Sequence, residues 1–204
     1  MKKLLGILVL GLLFCSDGFA GKTVNLPKDV ASGNKYKKSL DKKYKKYGMQ
    51  VVDKKDGHPV RAGEKSIRFE VRPGDCGYND AWNDCNTDRE RHELTGKKMT
   101  GGEWWYAWSI FLPKDFINAH PTKVALGQFH QEKGHVVWMF QNQSFSTAGG
   151  YWVDDQVPGY TRKLTQILSQ DEMIEKWNDI LVNVKWSKKD DGFFKVWLNG
   201  KQVY

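Results

Sequence analysis

Two short polar segments carry residue types suited to proton transfer and charge neutralisation. In Gly127-Gln128-Phe129-His130-Gln131-Glu132, an extended backbone projects Gln128, His130 and Glu132 from one face and sends Phe129 to the other. Three polar groups on one sheet face point to a groove rather than a core. A neutral imidazole is available as a base near pH 7, although a lone surface histidine is usually inert. In Arg89-Glu90-Arg91-His92-Glu93-Leu94 the same alternation pairs Arg91 with Glu93 on one face and His92 with Leu94 on the other. An Arg and a Glu so placed also make an ordinary cross-strand ion pair. A third stretch, 104–108 with Trp138, Asn142, Tyr151 and Trp152, mixes aromatic rings and amides. Sugars present apolar ring faces and hydroxyl edges, so Trp105, Tyr151 and Asn142 suit a sugar-lined cleft, with core packing as the competing use of the aromatics.

Strands must position these groups. From residue 51 the apolar period is two: Ile67, Phe69 and Val71 alternate with Arg68, Glu70 and Arg72, and strand-like runs follow at 104–112, 124–132, 136–142, 180–186 and 193–198. Pro73-Gly74, Gly101-Gly102, Gly149-Gly150, Pro158-Gly159 and Asn199-Gly200 separate them as turns. The pattern predicts an all-β sandwich of antiparallel sheets. One short helix is expected over 170–177, opened by a capping box of Ser169 and Glu172. Asn199-Gly200 is a strong hairpin signal, yet only four residues follow it, so the chain reads as lacking C-terminal strands.

The chain's 204 residues form one domain's worth of sequence. Nine Trp and ten Phe supply a core, which excludes disorder, and there is neither a glycine period nor a sustained heptad. Residues 1–20 read as a signal peptide: Lys2 and Lys3 precede an apolar run over 4–14, and Gly18 and Ala20 stand before a cut after Ala20. That run is too short to span a bilayer, and Phe14 before Cys15 argues against a lipoprotein. The mature chain would be secreted or periplasmic with net charge +7, which favours polyanionic partners. Cys76 and Cys85 are then the only cysteines, an even pair in an oxidising compartment, and a disulfide is expected. Residues 21–50 form a Lys-rich leader, either a basic helix with Tyr36, Leu40, Tyr44 and Tyr47 as its stripe and Gly48 as its cap, or a solvated segment resting on the 51–204 domain. An Asp- and Asn-rich loop around the cysteines leaves Ca²⁺ as an option, but no cofactor is required and it lacks EF-hand spacing.

Arg91-His92-Glu93-Leu94 resembles the R-x-E-L motif, and Gln128-Phe129-His130 the Q-x-H motif, of secreted polysaccharide lyases with a concanavalin-like β-jelly roll. Stretches 63–75, 102–113 and 177–200 resemble the heparin lyase I and glucuronan lyase type, and the resemblance spans 57–204. That pattern continues into a Tyr-bearing Y-x-K-x-G-x-Y strand that this sequence lacks. The resemblance implies β-elimination on an acidic, uronic-acid-containing polysaccharide. Gln128 and Arg91 would neutralise the carboxylate, His130 would be the base or a second neutraliser, and Glu93, Trp105, Asn142 and Tyr151 would line the site. The acid would be a Tyr, with Tyr106 and Tyr151 as weak substitutes. A monomer with no nucleic-acid partner and no membrane anchor is expected. Two other classes compete. A lectin-like jelly roll would keep the groove without turnover, whereas a hydrolase needs paired carboxylates about 5–9.5 Å apart and the E-x-D-x-x-E strand motif, which is absent.

Overall fold

Strand β12 (Asn178–Trp186) shows how the sequence pattern becomes a layer. Ile180, Val182 and Val184 are buried on one face, while Asp179, Leu181 and Lys185 take the other. On either side β12 pairs antiparallel with β13 (Phe193–Leu198) and β7 (Gly102–Ile110), and β14 (Lys201–Gln202) completes the sheet order β14-β13-β12-β7. The facing sheet is β11-β10-β9-β8, built from β8 (Val124–His130), β9 (Val136–Asn142), β10 (Tyr151–Asp155) and β11 (Lys163–Leu168). This computed structural model describes residues 4–6, 23–24, 26–27, 36–131, 134–142 and 147–204.

Aromatic rings join the two sheets. Trp138 of β9 stacks on Phe194 of β13 with centroids 4.2 Å apart, and Trp108 of β7 meets Phe140 of β9 edge-on at 4.9 Å. Phe129 of β8 contacts Tyr106 at 5.2 Å and Phe194 at 5.5 Å. Each such pair adds about 0.5–1.5 kcal/mol beyond its buried area. The antiparallel β-sandwich read from the sequence is the observed fold.

Shorter sheets pack beside the sandwich. β5 (Lys65–Val71) lies between β4 (Met49–Asp53) and the backbone of β1 (Leu4–Gly6), and β3 (Tyr36–Lys38) lies between β2 (Thr23–Val24) and β6 (Leu94–Thr95). Ile67, Phe69 and Leu94 form their own small core. The expected cleavage point after Ala20 and the residue Glu132 lie outside the described residues. Among the described residues no helix is long and apolar enough to cross a membrane.

The helix drawn over the Lys-rich segment does not form. Tyr36 is buried in β3 instead, and Leu40 and Lys43 take positive φ values of 52° and 67°, which end any helical course. Lys38, Lys42 and Lys46 would have stacked at i, i+4 on a helix, and like charges at that spacing repel. Gly48 ends a single 3₁₀ turn, Lys46–Gly48, and its role is room: an added Cβ would lie 2.4 Å from the His92 ring. The C-terminal helix starts where expected, with Glu172 accepting from the Ser169 backbone N–H and hydroxyl. It stops at Met173 (α1, Gln170–Met173) rather than at 177, because Ile174 turns extended to bridge Leu112 and Glu175 takes φ 55°. The Asn199-Gly200 turn closes β13 onto β14 with positive φ at both positions, the geometry that Asn-Gly favours.

Cys76 and Cys85 are bonded, with Cα atoms 5.0 Å apart. Closing a loop of this length contributes about 2–3 kcal/mol through the unfolded chain. The Cys76→Ala/Cys85→Ala variant is therefore expected to unfold at lower urea concentration, and alkylation of the native protein without reductant should label neither residue. Labelling at both would contradict the bond.

Candidate active site

Irregularity in the pairing of β8 with β9 aims the polar groups. The register shifts between Ala125 and Gly127 and again between Phe129 and His130. Bulges of this kind re-aim side chains. Leu126 and Phe129 are buried in the core, whereas Gln128 and His130 remain partly exposed. The imidazole Nδ1 of His130 lies 2.6 Å from the Gln131 carbonyl oxygen. A carbonyl only accepts, so this contact fits a proton on Nδ1 and a lone pair on Nε2.

The two sequence motifs meet. Gln128 Nε2 donates to Glu93 Oε1 at 2.9 Å, across 35 residues of sequence. Glu93 in turn accepts from Arg91 Nη1 at 3.2 Å, and Arg91 pairs with both oxygens of Asp84 at 2.8 Å. Trp82 Nε1 donates to the same Asp84 at 2.9 Å. Asp84 sits inside the disulfide-closed loop and is fully buried, so one polar chain runs from that loop to β8. Burial opposes the charge on Arg91, but Glu93 and Asp84 outweigh it and hold the guanidinium above its ordinary range. Arg91 is thus paired with two internal carboxylates and is linked through Glu93 to Gln128.

The segment 91–94 alternates in burial as read, with His92 and Leu94 inside, although regular strand begins only at Leu94. His92 is a packing post behind the site. Its ring stands 4.6 Å from Tyr44, and Nε2 is 3.2 Å from Asp75. Burial lowers its pKa, with Asp75 pulling the other way.

Three residues read as sugar contacts lie elsewhere. Asn142 and Tyr151 are 1% and 0% exposed, facing the core from β9 and β10. Asn142 Nδ2 donates to the Gly150 carbonyl and to Gln170 Oε1, so it ties the sheet to α1. Trp105 is exposed, but on the outer face of the opposite sheet, 5.5 Å from Trp197. Residue type suggested these three, and their facing takes them off the sheet face that bears Gln128. The substitute acids Tyr106 and Tyr151 are core residues too. Burial pushes the Tyr106 phenol up to about 12, against the hydrogen bond from Trp186.

Much of the Asp- and Asn-rich loop is paired within the protein. Among the described residues no three acidic or imidazole side chains converge. Asp75 accepts from Tyr47 and the Arg72 backbone, Asp80 pairs with Lys42, Asp84 holds Arg91, and the Asn79 and Asn83 side chains cap backbone N–H groups.

Register places further groups beside Gln128 that the sequence reading did not single out. Gln128 pairs with Met139, and Met139 with Asp154, so all three share the sheet face turned away from the core. Asp154 is fully buried and clamped by Arg162 through two 2.7 Å hydrogen bonds. The sequence signal was weak, because Asp154-Asp155 looks like loop polarity.

Set against known proteins, the chain matches the family model described as polysaccharide lyase over residues 30–204. No curated protein matches it. Among solved structures it is similar to an endo-β-1,4-glucuronan lyase from the fungus Trichoderma reesei, with 13% sequence identity and a TM-score of 0.36, covering 100% of this chain and 75% of that one. Since the family match takes in the Arg91–Glu93 and Gln128–His130 segments and both sheets of the sandwich, the chain belongs to the polysaccharide lyase family.

Proposed function

We propose that this lyase cleaves a uronic-acid-containing acidic polysaccharide by β-elimination in the groove at Gln128 and His130, after export to the cell exterior or periplasm. The observation that carries this reading is the Gln128–Glu93 hydrogen bond, which brings the two motif segments together beside a histidine whose Nε2 is oriented as an acceptor.

Elimination removes the C5 proton next to the uronate carboxylate and expels the C4 oxygen. The proton is barely acidic, so the developing enolate-like charge needs fixed donors and the proton needs a base. The Gln128 amide supplies a donor. Glu93 takes one of its N–H groups and so sets the amide plane, leaving the other for the substrate carboxylate. His130 Nε2 takes the C5 proton, the freed electron pair forms the C4–C5 double bond, and the expelled C4 oxygen takes its proton from the imidazolium so formed or from water. Arg91 does not reach for the substrate; it holds Glu93 still, because its own charge is already met by Asp84 and Glu93. The closed disulfide supports an oxidising compartment.

Incubation with a glucuronate- or iduronate-containing polymer should raise ultraviolet absorbance as unsaturated uronate ends form. His130→Ala should lower the rate by about 10²–10⁴-fold with binding retained, the usual worth of a positioned base. Gln128→Ala should act in the same direction, as loss of an oxyanion-type donor does. Reducing ends without the absorbance would mean hydrolysis, and full activity in His130→Ala would remove the base assignment.

Charge makes a second demand. The full sequence carries 32 Lys and Arg against 24 Asp and Glu, so affinity for a polyuronate should fall steeply as salt rises to 1 M, where the screening length is about 3 Å. An affinity that ignores salt would point to a neutral glycan.

A further inference from the structure

The row Gln128, Met139, Asp154 crosses three adjacent strands, and strand spacing puts Asp154 about 10 Å from Gln128 along the sheet. At that point a guanidinium is held in a fixed plane. Arg162 donates from Nε to Oδ1 and from Nη2 to Oδ2 of Asp154, while Gln156 Nε2 donates to the same Oδ2 at 2.8 Å. The two bonds use two of five guanidinium donors, and 47% of the Arg162 side chain is open to solvent. An ion pair built only for stability would close on itself; this one leaves a rigid donor edge exposed.

Other cations gather around it. Lys123, immediately before β8, makes no hydrogen bond or ion pair with the described residues. Lys123 is exposed, yet partial desolvation first, and then Arg162 and Arg89, hold its ammonium below the ordinary lysine value against the pull of Asp154. Arg89 comes from the disulfide-loop side, with its guanidinium 5.3 Å from the Trp82 ring. Lys123 thus lies within electrostatic reach of Arg162, Arg89 and Asp154, and Asp154, the carboxylate that Arg162 clamps, is buried. An anion entering there offsets like-charge repulsion that the protein alone leaves standing.

We propose that Arg162, Lys123 and Arg89 form a second carboxylate-binding position in the groove, two strands from Gln128, which grips a uronate other than the one being cleaved. A planar guanidinium with a free edge matches a carboxylate, and the ammonium adds a point charge; a neutral hexose would gain little from either. The enzyme would then favour polymers in which uronates recur, and discriminate against an isolated uronate among neutral sugars. This rests on the reading of the groove as a uronate-polymer site.

The test measures binding of the full chain to polyglucuronate and to the same polymer with its carboxyl groups reduced, over a salt series. Lys123→Gln and Arg89→Gln each remove a charge without stranding the buried Asp154, which Arg162→Ala would do. Arg162→Lys keeps the compensating charge and loses the planar fork. Each variant should weaken polyglucuronate binding about three- to tenfold, with the Lys123→Gln/Arg89→Gln double variant flattening the salt dependence. The loss should appear in Kd and KM, whereas that of His130→Ala appears in kcat. Lys195→Gln, on the outer face of the opposite sheet, removes the same charge far from the groove. If it weakens binding as much as Lys123→Gln, or if the double variant binds as the wild type does, the proposal fails. If the wild type binds the polyuronate by these residues without generating ultraviolet absorbance, the elimination reading fails and the carboxylate position stands.

Discussion

A guanidinium gripped by two carboxylates joins the disulfide loop to the sandwich, and the placement of the Gln128 amide depends on it. Arg91 reaches Asp84 on one side and Glu93 on the other, and the second oxygen of Glu93 holds the Gln128 amide. Removing one member of such a buried pair costs about 3–5 kcal/mol, because the partner stays charged and dry. The arrangement is therefore strongly defended against loosening. The disulfide keeps Asp84 in place, so a covalent link, an ion pair and a hydrogen bond act in series on one amide.

The sandwich contributes rigidity of another kind. Phe129 stands between Gln128 and His130 and is packed against Tyr106, Phe140, Trp186 and Phe194. Close packing of this sort resists displacement. The two polar neighbours of Phe129 thus inherit the stiffness of the core without being part of it. Functional side chains borne on sheets held in this way keep their separation better than side chains on loops.

How much of this was legible in the sequence depended on distance along the chain. The outward pair Gln128 and His130 could be read because a strand's period of two is local, and β13 and the Asn199-Gly200 turn for the same reason. β10 and β11 went unread. Val153 and Asp154 of β10 are both fully buried, so the strand has no polar face to alternate with. Arg91 could be named as a carboxylate neutraliser, but its pairing with Asp84 and Glu93 could not be read, since these meet it only once the chain folds. The aromatic residues failed for a related reason: residue type says what a ring could bind, whereas Trp105 and Tyr151 are decided by which side of a sheet they occupy. The Lys-rich helix failed because spacing alone ignores the pairing partner that β3 finds in β6.

Among the described residues β8 pairs with β9 alone, so the strand that bears Gln128 and His130 is also a margin of its sheet. A straight, regular margin is a template on which another chain can add itself. The extra residue that β8 carries between Ala125 and Gly127 breaks the even row of N–H and C=O groups and increases the local twist, so a foreign strand would lose register there. The bulge that helps to turn Gln128 and His130 outward therefore also makes β8 a poor template for strand addition, and straightening the strand would restore the template.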